Sequence, residues 1–250
     1  MGNEKSRAAA WGLRLGIAAL VVLALGIIGN RYEIVSFKIA LPTLAIAALI
    51  GLIAIVVSLV GLIVTLGGKR AGVATAIAGI VLGLVAATPV GTSFFKGRSV
   101  PRIHDITTDL SNPPEFAAIV VLRRPDANPL DRKLPADLAE LQAKVYPDLA
   151  PLVVQEQAGK VFDTARDVAH DMGWEIVAAT PETGLIEATA TTSLLHFKDD
   201  IAIRIVEKDG GSVVDVRSVS RVGVSDLGTN AARIRAYLAA LKTKLGLAAS

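Results

Sequence analysis

The densest polar chemistry in this 250-residue chain is the string Arg217-Ser218-Val219-Ser220-Arg221, followed by Ser225, Asp226, Asn230 and Arg233. Arginines interleaved with hydroxyls, between a strand end and a helix start, make a candidate anion site. Free N–H groups at a helix N-terminus favour negative charge, and guanidinium forks bind carboxylate or phosphate. The structural alternative is that Asp226 or Thr229 caps the helix while the arginines pair with Asp199, Asp200 and Asp215. Arg204 belongs to the same set through its cross-strand position. His104-Asp105, far upstream, either joins this polar cluster or forms a hydrogen-bonded turn. Other chemistries lack their residues. With no Cys there is no thiolate ligand or nucleophile. His104, His170 and His196 stand in no metal-binding spacing, so neither a metal nor a cofactor is expected. Ser218 and Ser220 lack the G-x-S-x-G context of a hydrolase. Asp199-Asp200 could hold a hard cation, but with arginines nearby ion pairing is simpler.

The elements that must position these groups follow from periodicity. Apolar residues Val161, Phe162, Ala165, Val168, Ala169 and Met172 share one helical face, and Gly173 stops the helix. Residues 174–180 and 185–192 alternate as strands around the turn Pro181-Glu182-Thr183-Gly184. Residues 201–207 and 212–220 form a hairpin about Asp209-Gly210. With a two-residue loop, Ile205 faces Val214, Arg204 faces Asp215, and Ala202 faces Arg217. This register puts Ile201, Ile203, Ile205, Val214 and Val216 on one face and Asp200, Arg204, Asp215 and Arg217 on the other. A one-residue slip would mix the two faces. A polar loop, 221–228, leads to a last helix at 229–245. The fold class is therefore α+β, with a four-stranded antiparallel meander and two packing helices. Eight of the eleven prolines fall between Pro101 and Pro151. They make 99–157 an extended segment wrapped onto the domain, with a short strand at 117–122 and a short helix at 135–144.

The residues Phe197-Lys198-Asp199-Asp200-Ile201, Val214 through Gly223, Asp226-Leu227-Gly228-Thr229-Asn230-Ala231 and Arg233-Ile234 resemble the domain of unknown function 1499 family. Pro101 through Asp109, Tyr146-Pro147-Asp148 and Gly173-Trp174 fit the same pattern, so the resemblance covers roughly 99–245. Some members of that family carry membrane spans ahead of the domain. The family has no established activity, so the resemblance implies a fold and no mechanism.

The composition, 52% hydrophobic and 20% charged with a mean hydropathy of +0.53, averages two unlike parts. Residues 1–98 hold 9 Lys+Arg and 2 Asp+Glu, and residues 99–250 hold 17 and 21. The acidic second part argues against a nucleic-acid partner. Stretches 39–68 and 71–95 carry no charge, and 11–29 carries only Arg14. Each is long enough to span a bilayer, giving spans at about 11–29, 39–66 and 71–95 in a membrane domain of residues 1–98. Trp11, Tyr32, Phe37, Phe94 and Phe95 stand at the ends of the runs, as interfacial aromatics do. No cleavage site follows the first run, so it reads as an uncleaved span. The Met1-Gly2-Asn3 opening matches a myristoylation pattern by chance. Gly12/Gly16 and Gly79/Gly83 would let the spans pack closely.

The expectation is a multi-pass inner-membrane protein whose three spans precede an α+β core at 158–250. Its partners would be the lipid bilayer and a protein partner or second copy. The function expected is a membrane-tethered binding or interaction module. The alternatives are a membrane-surface enzyme using the Asp/Arg/Ser cluster and a structural subunit of a membrane complex. Lys5, Arg7, Arg14, Lys69 and Arg70 on the N-terminal side stand five against five with Arg31, Lys38, Lys96, Arg98 and Arg102 on the other, so the first span decides, where Lys5, Arg7 and Arg14 ahead of it outweigh Arg31 and Lys38 behind it. The N-terminus is then cytoplasmic and the C-terminal domain periplasmic. A periplasm-active reporter fused after Ser250 should be active, and an inactive but well-expressed fusion would reverse this topology.

Overall fold

The computed structural model describes residues 4–68, 70–133 and 135–247. Lys69, the Met1-Gly2-Asn3 opening and Ser250 lie outside the described residues. The chain forms two compact units, one reaching to Lys96 together with Leu194–His196, the other from Gly97 to Ser193 with Phe197 onward.

The first unit is built on α1 (Arg7–Arg31), α2 (Phe37–Leu66) and α3 (Val73–Ser99). All three are long and apolar enough to cross a membrane, with mean hydropathies of 2.2, 3.0 and 2.1. Their packing inverts the usual size pattern. The buried positions are Gly, Ala, Ser and Thr almost throughout, with Leu23 and Leu44 the larger exceptions. Ile17, Val21, Leu25, Leu52, Val56, Val81 and Leu84 point outward. Such a surface suits hydrocarbon, where small residues let backbones approach. A Cβ at Gly79 would lie 2.2 Å from Ser58 Oγ and 2.8 Å from the Gly12 carbonyl carbon. One at Gly83 would lie 2.5 Å from the Gly51 carbonyl oxygen. The expected glycine pairs therefore sit where the helices meet.

The second unit is one antiparallel sheet with helices. Its strands are β1 (Asp105–Thr107), β2 (Leu152–Val154), β3 (Glu175–Thr180), β4 (Leu185–Thr191), β5 (Lys198–Lys208) and β6 (Gly211–Ser220). The helices are α4 (Leu138–Val145), α5 (Ala158–Asp171) and α6 (Thr229–Lys244). Strand order is β1-β6-β5-β4-β3, and β2 also pairs with β6. The sheet thus has six strands, not the expected four, because β1 and β2 join the meander of β3 to β6 along β6. β1 meets β6 at residues 217–219 and β2 meets it at 212–214, so two short strands share one edge. At three residues each, within a proline-rich stretch, they are too short to show alternation. The expected strand at 117–122 is instead a 3-10 turn, Val120–Leu122.

The hairpin register is the expected one, with Ile205↔Val214, Arg204↔Asp215 and Ala202↔Arg217. Asp209 and Gly210 have φ of 52° and 78°. Two successive positive values match the twist of the flanking strands, which is why Asp-Gly suits this turn. Helices α5 and α6 pack on the face carrying Ile201, Ile203, Ile205, Val214 and Val216, all buried. Trp174 stacks on Tyr237 with centroids 5.1 Å apart, and the Tyr237 hydroxyl donates to the Ala165 carbonyl at 2.9 Å.

Gly79→Leu should lower the melting temperature of the detergent-solubilised chain, because overpacking a tight crossing costs about 1–3 kcal/mol. Gly91→Ala, where an added Cβ meets nothing within 4 Å, should leave it unchanged. Thermal unfolding followed by size-exclusion chromatography checks the pair.

Candidate functional site

Strand parity divides the candidate residues between the two sides of the sheet. Asp105, Asp200, Arg204, Asp215 and Arg217 point away from α5 and α6, and Arg221 joins them just past the end of β6. Asp199, Ser218 and Ser220 point toward the helices, where Asn230 and Arg233 of α6 meet them. Asp226 and His104 stand near the start of α6. The thirteen residues do not form one site.

The face away from the helices is buried, not solvated. Residues 109–133, without a regular strand of their own, cover it and supply the missing partners. Arg217 grips Asp105 in a two-pronged pair, Nε to Oδ1 at 3.1 Å and Nη2 to Oδ2 at 2.7 Å. Its remaining donors reach the carbonyls of Pro114 at 3.1 Å and Leu130 at 2.6 Å, and its guanidinium lies 5.2 Å from the Phe116 ring centroid. Arg132 also pairs with Asp105. Asp200, with no exposed surface, accepts from Arg221 Nη2 at 2.7 Å, from the Thr189 hydroxyl at 3.0 Å, and from Arg123. Arg204 bridges Asp215 at 2.9 Å and Asp109 at 3.2 Å, and Thr108 donates to Asp215 at 3.0 Å. Glu187 accepts three backbone amides, from Ala117 at 2.9 Å, Ala118 at 2.7 Å and Ile119 at 3.1 Å.

This layer sets five guanidiniums (Arg123, Arg132, Arg204, Arg217, Arg221) against five carboxylates (Asp105, Asp109, Glu187, Asp200, Asp215). A free anion would have to displace a buried carboxylate from a two-pronged pair. Arg217 and Arg221 are therefore closed on residues of the chain itself, whereas Arg204 Nε and Arg132 Nη2 are buried without a hydrogen-bond partner among the described residues.

Under α6 the polar groups form a second closed network. Arg233 pairs with Asp199 at 2.6 Å and donates to Ser218 Oγ at 3.1 Å. Ser218 donates to Asn230 Oδ1 at 2.7 Å, and Asn230 Nδ2 donates to Ser220 Oγ and to the His104 carbonyl, both at 3.0 Å. Both serine hydroxyls thus serve as struts between strand and helix. Gly228, with φ of 79°, is the N-cap position, and its side chain offers no acceptor. The Asp226 carboxylate takes that role from two residues upstream, accepting from Gly228 N at 2.8 Å and Asn230 N at 2.9 Å. Of the two caps foreseen, Asp226 and not Thr229 does the work. Burial pushes the Asp226 carboxyl above the usual carboxylate range, against the pull of these two amides. Burial holds the His104 ring below its ordinary range, opposed by the Asp105 and Asp226 carboxylates. His104 Nδ1 and the Tyr146 hydroxyl have no hydrogen-bond partner among the described residues.

An open groove lies elsewhere. A groove of about 420 Å³ runs between the start of α5, the 181–184 turn and the end of β5. Phe162, Ile205 and Val206 give it an apolar lining, and Asp163, Glu182 and Glu207 an acidic one. Asp163 pairs with Arg166 at 3.3 Å. Glu182 and Glu207 make no ion pair among the described residues. Its volume falls within the range of ligand sites. Nothing in the sequence pattern marked this groove, because its residues come from three elements and each has an ordinary surface role alone. Arg123, Arg132, Asp109 and Glu187 were also missed. Glu187 could have been found, since it alternates with Thr189 on the parity of Asp200.

Among known families, the model for a protein of unknown function, DUF1499, matches residues 105–241, a range that holds both networks and the groove. No curated protein matches the chain.

Asp200→Ala should cost about 3–5 kcal/mol of stability, because it strands two guanidiniums in a buried layer. Asp167→Ala, at an exposed position of α5, should change stability by less than about 0.5 kcal/mol. Urea unfolding followed through Trp174 fluorescence, in a Trp11→Phe background, measures both.

Proposed function

The chain belongs to the DUF1499 family of proteins of unknown function, and we propose that it is a membrane-anchored binding module whose soluble unit receives a basic segment of a partner protein. Three helices long and apolar enough to cross a membrane fit a membrane protein. In this reading they tether the soluble unit to the outer face of the inner membrane, with the N-terminus in the cytoplasm. The observation that carries the binding role is the groove between α5 and the 181–184 turn. It joins an apolar lining to Glu182 and Glu207, two carboxylates with no ion pair among the described residues. An arginine or lysine side chain suits that combination, with its aliphatic stem on Val206 and its charge at the acidic edge.

This reading reverses the sign of the ligand suggested by the arginine-rich string. Arg217 and Arg221 are held by Asp105 and Asp200, whereas the open groove is acidic. The same closure weighs against an enzyme built on the Asp/Arg/Ser cluster. Ser218 and Ser220 are bonded to Asn230, and among the described residues no imidazole is bonded to either.

The probe is a short peptide of alternating leucine and arginine, titrated against the full chain in lipid nanodiscs. Replacing both Glu182→Gln and Glu207→Gln should weaken its binding about tenfold, and added salt should weaken binding to the unmodified chain. Equal affinity for the two proteins, or no binding to the unmodified chain, would remove the groove as the site.

A further inference from the structure

The Val120–Leu122 turn presents three consecutive aliphatic side chains to solvent. Val120 is 48% exposed, Val121 84% and Leu122 54%. Contiguous apolar exposure of this kind marks a contact surface. The turn is also held firmly on both sides. On its N-terminal side the Glu187 carboxylate takes the amides of Ala117, Ala118 and Ile119, and the Ile119 side chain is fully buried. On its C-terminal side Arg123 is anchored to Asp200 and to the Asn128 carbonyl. The aliphatic side chains therefore cannot fold back into the domain without breaking the buried ionic layer.

The next residue, Arg124, has a side chain that is 76% exposed and pairs with the surface carboxylate of Asp126 at 3.6 Å. An apolar tip bordered by a cation matches a lipid interface, with hydrocarbon for the aliphatic groups and phosphate for the guanidinium. Only residues 100–104 connect α3, which is apolar enough to cross a membrane, to β1. Fully extended, that connection covers roughly 20 Å.

We propose that Val120, Val121 and Leu122 form an insertion tip that seats the soluble unit on the lipid surface, with Arg124 at the phosphate level. The tip is a contact separate from the groove of α5. In this proposal the tip sets which face the sheet unit turns to the bilayer.

The chain contains no cysteine, so Val121→Cys provides a single labelling position for a polarity-sensitive fluorophore. The full chain is reconstituted in phosphatidylcholine vesicles, with Leu122→Cys as a second reporter and Lys208→Cys as a reference. Labels at Val121 and Leu122 should emit at shorter wavelength than the reference and resist aqueous iodide. A lipid with a nitroxide near the headgroup end of its acyl chain should quench them about twofold, the shallow depth expected of an interfacial tip. Labels quenched by iodide and not by the nitroxide lipid would place the tip in water and overturn the proposal. Labels shielded from both quenchers would overturn it equally, because a protein surface, a second copy or another chain, would then cover the tip.

Discussion

Asp200 is fully buried between two guanidiniums, Arg221 from the end of β6 and Arg123 from the covering segment. Moving such charges out of water costs several kcal/mol per ion unless each is paired and hydrogen-bonded. The layer between the sheet and residues 109–133 therefore works only as a set. Asp105 needs Arg217 and Arg132, Arg204 needs Asp215 and Asp109, and Glu187 needs three amides. The covering segment has no regular strand of its own to fix its path, and the ionic layer supplies that path. A wrong placement of the segment would leave buried charges of this layer unpaired.

The two units are held together by different physics. In the sheet unit, α5 and α6 bury isoleucine, valine and aromatic side chains against the sheet, where exclusion of water is the driving force. In the helical unit the large aliphatic groups face outward, and Gly12, Gly51, Gly61, Gly79 and Gly83 line the crossings. Close backbone approach and dispersion do the work there. One chain thus carries two opposite size patterns, and each would be unstable in the other's solvent.

What the sequence reveals depends on how local the cause is. The register of the β5–β6 hairpin was legible, because Asp209-Gly210 sets the turn and alternation sets the faces, although β5 starts three residues earlier than expected. So were α5 and α6, whose apolar positions recur at helical spacing. β1 and β2 were not legible, since three residues cannot display a period. The parity of Arg204, Asp215 and Arg217 showed that the sheet has a charged face, but not that the face is covered. Its partners Arg123 and Arg132 lie among prolines, where no periodicity ties them to a strand. The cap by Asp226 was legible from its position ahead of α6. The groove was not, because it exists only once α5, the 181–184 turn and β5 come together.

The ionic layer also bears on the order of assembly. Arg123 and the carboxylate it meets are 77 residues apart, and the amides held by Glu187 are 68 to 70 residues from it. The covering segment is synthesised first, yet the strands that receive it come later. At synthesis rates of about 5–20 residues per second, Arg123 waits roughly 4–15 s for Asp200 to appear. Through that interval the segment carries unpaired cations and free amides, and its place can be taken only after β4, β5 and β6 exist. The first part of the soluble unit to be made is thus among the last to be locked in place, and its docking marks completion of that unit.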